Sequence, residues 1–335
     1  MQIKHFVGID VSRDTLDLNL VVDGSSQKHH CISNRTIDIG ATLNKIMKSL
    51  GATFDDTIFC MEHTGIYNLP LINWLQSHDG KIWMESGVHI RKTLGLVRGK
   101  NDKVDSMRIA MYAYLNRHRI KTWKAPRKLI SRIAALLSQR SRLNKAKKQL
   151  GTANQEQKLF MDKEIMKSLN TYTQKTIAVI NKQILAIENE ILSLIKEDEK
   201  LNRIYQIITS VAGVGFVTAS YILVTTNEFI NINDPKKYAC YSGVVPFEHS
   251  SGSSVRGKTR VSQMANKNIK TLLHMAALST IKKRGDLQEY YIRKVAEGKN
   301  KMSVLNAIRN KLILRIFACV KQNRVYEQNY CYTLV

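Results

Sequence analysis

Apolar and polar positions near the start of the chain follow a strand period and then a helical one. Residues 5–11, 14–22 and 27–32 read as strands, with Asp14 and Gly24-Ser25 supplying turn chemistry between them. Three such strands in succession make an antiparallel meander. A helical period then runs from about Ile37 to Leu50, followed by a strand from Thr57 to Glu62 and a helix from about Tyr67 to Gln76. A strand from Lys81 to Met84 and a helix from Asp102 to about Leu115 complete this part. Strands that alternate with helices pair in parallel, so the pattern predicts an α/β sheet with an antiparallel edge.

Beyond Pro126 there is no proline until Pro235, and the glycines between are Gly151, Gly213 and Gly215, a profile of long helices. Leu129, Ile133, Leu136, Leu143 and Leu150 fit one heptad seam, and Ile177, Ile180, Ile184, Ile187, Ile191 and Leu194 fit a second. With the polar Gly151-Thr152-Ala153-Asn154 near their middle, the two predict either an antiparallel hairpin within the chain or a coil that forms a dimer. From about Asn202 a third region begins. Ser210-Val211-Ala212-Gly213-Val214-Gly215 lies between two apolar helical runs, as in a helix-hairpin-helix, where Gly213 and Gly215 would let backbone N–H groups approach a phosphate. Pro235 opens a short helix ending at Gly243, and His249–Arg260 reads as a serine-rich loop. Helices from about Asn266 to Lys283, Gln288 to Ala296 and Ser303 to Lys321 close the chain. The resulting segments are 1–122, 123–201, 202–325 and a tail, 326–335.

Charge narrows the partners. Of the 335 residues, 52 are Lys or Arg and 27 are Asp or Glu, a net charge of +25 that calls for a polyanion, nucleic acid before an anionic membrane surface. No apolar run approaches the roughly 20 residues of a spanning helix. The N-terminus enters a strand without a signal-peptide pattern, which places the chain in the cytoplasm, at the nucleoid if the partner is DNA. Five scattered cysteines without a CxxC pair argue against disulfides and structural zinc, and read as buried free thiols. Between Asp105 and Glu156 there is no acidic residue, while Arg108, Arg117, Arg119, Lys121, Lys124, Arg127, Lys128 and further cations accumulate, a phosphate-binding signature.

Against that basic background four carboxylates stand out. Asp10 ends an apolar strand and Glu62 ends another, so the two can lie side by side at carboxyl ends of a sheet. Asp102 and Asp105, three apart at a helix start, share one face, with Asp102 also placed to cap that helix. Carboxylates gathered at one locus repel one another, and hard divalent cations relieve that repulsion; two Mg²⁺ ions about 4 Å apart suit phosphodiester chemistry. Asp14, Asp17, Asp55 and Asp56 read as turn or surface residues. The serine loop runs into Arg256, Lys258 and Arg260. Its bland reading is a linker; the sharper one is a hydroxyl whose attack on a phosphodiester the surrounding cations would stabilise.

Gly8-Ile9-Asp10, Met61-Glu62-His63-Thr64-Gly65-Ile66-Tyr67, Lys100-Asn101-Asp102-Lys103-Val104-Asp105 and Ser251-Gly252-Ser253-Ser254-Val255-Arg256-Gly257 together resemble the motif set of the DEDD transposases of bacterial insertion sequences. These are relatives of the Piv invertase and include bridge-RNA-guided recombinases. The resemblance implies an α/β plus α architecture: a ribonuclease-H/RuvC-like N-terminal domain, a helical coiled-coil insert, and a mainly α C-terminal transposase domain with a helix-hairpin-helix-like segment. It implies Asp10, Glu62, Asp102 and Asp105 as Mg²⁺ ligands and Ser251 as a nucleophile that forms a transient phosphoserine link to cleaved DNA. Chemistry alone does not choose between Ser251 and Ser250, Ser253 or Ser254. It also implies a structured non-coding guide (bridge) RNA, held on the basic stretch; the heptads, for their part, suggest a homodimer or homotetramer, a pattern that a hairpin within the chain would equally produce. Arg98, Lys100, Arg117, Arg119, Lys124, Arg127, Lys128, Gly213, Gly215, Arg256, Lys258 and Arg260 are the candidate nucleic-acid contacts. Two other readings stand beside it: a metal-dependent, structure-selective nuclease of the Holliday-junction type, and an architectural nucleic-acid-binding protein.

Overall fold

In the computed structural model, residues 3–93, 101–251, 255–261 and 265–328 are described, residues 92, 247–251 and 255–260 by backbone alone. The chain divides into two units, Met1–Ala125 and Pro126–Val335.

The first unit is built on six strands: β1 (His5–Val11), β2 (Thr15–Val22), β3 (Ser25–Ser26), β4 (His30–Ser33), β5 (Thr57–Glu62) and β6 (Lys81–Glu85). β2 pairs antiparallel with β1, β3 and β4, whereas β1, β5 and β6 run parallel in that order. The meander and the parallel half are thus those expected. Helices α1 (Thr36–Leu50) and α2 (Leu69–Gln76) cover one face, α3 (Gly87–Thr93) and α4 (Asp102–Leu115) the other. Strand alternation sorts the side chains. Val7, Ile9, Leu16, Leu18, Phe59 and Met61 pack against α1 and α2, while Phe6, Val21, Ile58, Cys60 and Trp83 pack against Ile109, Ala110 and Ala113 of α4.

The second unit holds α5 (Lys128–Gln157), α6 (Lys163–Glu197), α7 (Glu199–Ser210), α8 (Phe216–Thr226), α9 (Pro235–Tyr241), α10 (Lys267–Ile281), α11 (Asp286–Ala296) and α12 (Lys301–Lys321), with β7 (Pro246–Ser251) and β8 (Val255–Val261) between α9 and α10. α5 and α6 pair with each other in one chain. Arg132 meets Glu190 at 2.7 Å, Arg140 meets Glu188 at 2.7 Å, and Asn154 bonds Asn170 at 2.7 Å, an antiparallel register. The turn between them falls at 158–162, later than Gly151–Asn154, which continue α5 as helix. At the base of the hairpin Ile130, Ile133, Leu137, Ile191 and Ile195 share a core with Leu201, Ile208, Leu273 and Leu312. The segment read as a serine loop holds two antiparallel strands instead, with Ser251 opposite Val255 and an irregularity between Phe247 and His249; Gly252, Ser253 and Ser254 lie outside the described residues. Val255, Thr259 and Val261 supply the β-branched residues that favour such a ladder.

Among the described cysteines Cys60 and Cys319 are buried free thiols as expected, but Cys31 on β4 is exposed. No helix among the described residues is long and apolar enough to cross a membrane.

Candidate active site

The site forms where α4 crosses the sheet. Gly8 and Asp10 lie two apart on β1 and therefore on the same face. A Cβ on Gly8 would lie 2.1 Å from the backbone N of Ala110 and 2.3 Å from the carbonyl O of Ser106, so α4 rests directly on the strand at that point. The helix starts at Asp102 because Asn101, in extended conformation, caps it by accepting the Lys103 N–H at 3.0 Å. The cap is Asn101 and not Asp102, which frees the Asp102 carboxylate. Asp102 and Asp105 occupy the first turn, where the helix dipole favours negative charge.

This contact brings one carboxylate oxygen each of Asp10, Asp102 and Asp105 within 4.8 Å of one another. Burial, together with the charges of Asp102, Asp105, Glu62 and Asp17, raises the Asp10 pKa from 3.8 to about 6. Glu62 ends the neighbouring strand on the same face but stands outside the 4.8 Å cluster. Burial raises its pKa; Arg91 lowers it and Asp105 raises it further. A Cβ on Gly87 would lie 2.2 Å from Glu62 Oε2, so this glycine is where the Glu62 carboxyl group finds room. The donors are all hard oxygens in mutual repulsion, the set that a divalent cation such as Mg²⁺ suits.

Several neighbours escaped the sequence reading. Asp17, read there as a turn or surface residue, is buried on β2 directly opposite Asp10 and bonds His29 Nε2 at 2.7 Å. The alternation of Leu16, Leu18 and Leu20 put Asp17 on the α4 face, a signal that was legible. Glu85 pairs in register with Glu62 and accepts a hydrogen bond from Tyr112 Oη of α4 at 3.0 Å, with His89 Nδ1 also 3.0 Å away. Arg108 Nη1 donates to Asp105 Oδ1 at 2.6 Å.

The remaining candidates divide. Arg98 and Lys100 lie outside the described residues. Arg117 and Arg119 are exposed just after α4, with Arg117 4.5 Å over the Tyr114 ring. Lys124 and Lys128 are exposed. Arg127 is used otherwise: its Nε donates to Glu228 Oε2 at 2.9 Å, and its Nη1 to Asp198 Oδ2 at 2.6 Å. Gly213 is glycine for packing, since φ is +85° and a Cβ would lie 2.0 Å from Thr280 Oγ1 of α10; Gly215 faces open space. Ser251 closes β7, but its side chain and those of Arg256, Lys258 and Arg260 lie outside the described part.

Residues 7–160, which contain all four carboxylates, match a DEDD transposase model of the IS110 type, and residues 205–292, which contain Ser251, match the model "Transposase IS116/IS110/IS902 family". The chain belongs to the IS110/IS116/IS902 transposases. Pilin gene-inverting proteins of Moraxella lacunata and Moraxella bovis are 24% and 23% identical to this transposase, each over 97% of its length and 98% of their own. An insertion element IS110 uncharacterized 43.6 kDa protein of Streptomyces coelicolor is 26% identical over 45% of this chain and 36% of its own. The transposase is therefore an enzyme of DNA recombination from an insertion sequence, of a family whose acidic site implies a divalent metal.

Proposed function

We propose that the transposase cuts and rejoins DNA strands with Asp10, Glu62, Asp102 and Asp105 as a two-Mg²⁺ site and Ser251 as covalent nucleophile. The observation that carries this reading is the convergence of Asp10 of β1 with Asp102 and Asp105 of the first turn of α4, one carboxylate oxygen of each within 4.8 Å of the others. Bound ions would supply Lewis-acid stabilisation of charge at the phosphate. The Ser251 oxygen attacks phosphorus, loses its proton and replaces one bridging oxygen, whose strand end leaves as a hydroxyl. Attack by a strand-end hydroxyl on the phosphoserine restores a diester and the free serine. Every step exchanges one P–O bond for another, so strand exchange needs no nucleotide hydrolysis.

Recognition is assigned to a structured bridge RNA that pairs with element-end and target DNA. The exposed Arg117, Arg119 and Lys128, and open Gly215, are consistent with phosphate contacts. Arg132 and Arg140 contribute less to such a surface, since Glu190 and Glu188 offset them across the helical hairpin. We place the enzyme in the cytoplasm at the nucleoid, acting as a homodimer or homotetramer.

The test is a denaturing gel of labelled element-end DNA with Mg²⁺ and the flanking transcript, comparing wild type, Ser251→Ala and Asp10→Ala. A protease-sensitive protein–DNA adduct that requires both residues supports the reading. Cleavage that survives Ser251→Ala but not Asp10→Ala would instead make the enzyme a metal-only nuclease.

A further inference from the structure

We propose that Arg108 is the built-in counter-ion of the acidic site, a positioning residue that holds Asp105 and sets how strongly the site attracts a divalent cation. The inference rests on the metal reading above and adds a residue to it.

Arg108 lies one turn after Asp105 on α4, and its Nη1 takes one oxygen of that carboxylate at 2.6 Å. Both side chains are largely withdrawn from water, with 14% and 27% of their surface exposed. At such a site a guanidinium one helical turn away acts through a medium less screening than bulk water. The arrangement differs from that of a guanidinium used as a strut. Arg127 spends three donors on two carboxylates, Glu228 and Asp198, and so ties separate elements together. Arg108 bonds a residue of its own helix, joins no second element by that bond, and leaves Nη2 buried without an acceptor among the described residues. A buried donor without a partner is costly to keep. Its place beside carboxylates that crowd within 4.8 Å supplies the reason: the cluster needs positive charge whether or not an ion is bound.

Two consequences follow, and they have opposite signs. Without Arg108 the carboxylates repel one another unrelieved, so the metal-free fold loses stability. An incoming divalent cation no longer meets a like charge, so it binds more tightly. A residue that only supported the fold would give a loss in both.

The experiment titrates Mn²⁺ into the full-length chain, counts free ion by its electron paramagnetic resonance signal, and records the metal-free melting temperature. Arg108→Gln should bind Mn²⁺ roughly tenfold more tightly than wild type and melt lower without metal. Arg108→Met, a second neutral replacement, should do the same, and Arg108→Lys should stay near wild-type affinity because the charge remains. Unchanged or weaker binding in both neutral variants, with wild-type binding that Asp10→Asn abolishes, overturns the role of Arg108 and leaves the metal site standing. If wild type binds no ion that Asp10→Asn removes, the metal reading fails and this inference falls with it.

Discussion

A methyl group at position 8 tests how the site is assembled. In Gly8→Ala the new Cβ would lie 2.1 Å from Ala110 N, 2.3 Å from Ser106 O and 2.7 Å from Ala110 Cα, all of them backbone atoms of α4 that no rotamer change can move. Carbon contacts settle at about 3.5–4.0 Å, so α4 must withdraw from β1 by more than about 1 Å. Overpacking of this kind costs about 1–3 kcal/mol, and backbone obstruction on three atoms points to the upper end. A loss of about 3 kcal/mol in a unit of this size lowers the melting temperature by roughly 10 °C. Asp102 and Asp105 ride on the first turn of the same helix, so the substitution separates them from Asp10. A Mg²⁺ ion demands oxygen at about 2.0–2.1 Å, and misplacement by ~1 Å costs on the order of a hundredfold in rate. The assay is thermal melting of full-length protein in chelator and again with divalent ion, alongside cleavage of element-end DNA. Gly151→Ala is the control: nothing lies within 4 Å of that position, about two turns before the end of α5, so it should be neutral or stabilise by up to about 1 kcal/mol. Wild-type melting and wild-type ion response in Gly8→Ala would refute the claim that helix contact at Gly8 builds the site.

Other outcomes are equally specific. In metal-free protein Asp10 takes up its proton at about pH 6, where an ordinary aspartate does so near 3.8. The folded chain therefore binds more protons than the unfolded chain between those values, and stability falls as pH rises from about 4 to 6. Discounted for the half-exposed position, the loss is about 1–2 kcal/mol; urea midpoints across that window should show it, and Asp10→Asn should flatten it. Arg127→Ala leaves Glu228, whose side chain is 1% exposed, without its cation and should cost about 3 kcal/mol. Adding Glu228→Gln should recover much of that in chemical denaturation, whereas failure to recover would mean that Arg127 acts elsewhere. Gly87→Ala should barely change melting, because the atoms it meets are the mobile end of Glu62, yet it should weaken cleavage by pushing that carboxylate aside. A Gly87→Ala enzyme with full activity would remove Glu62 from the reacting group.

Local pattern was enough for most elements of the first unit, because strand alternation and helical periods each carry their own signal within a few residues; the two-residue β3 and the seven-residue α3 are too short to carry one and were not read. Asp10 and Glu62 could be read at strand ends, and Asp102 with Asp105 on one helical face, from spacing alone. The sequence also carried the heptads that pair α5 with α6, but a seam of apolar residues is the same whether its partner is in the chain or in a second copy; only the register of Arg132 with Glu190 and Arg140 with Glu188 shows the pairing within one chain. Tertiary structure alone decided what the glycines and cations do. Gly8 matters because α4 returns to the sheet almost a hundred residues later, Gly213 because α10 lies against it, and Arg127 because Asp198 and Glu228 come to it from distant turns. Likewise Asp17, a polar residue within the apolar β2, became part of the acidic neighbourhood only when β2 paired with β1. A carboxylate's charge is written in the sequence, but its repulsions and its counter-ions depend on distances that exist only after the chain has folded.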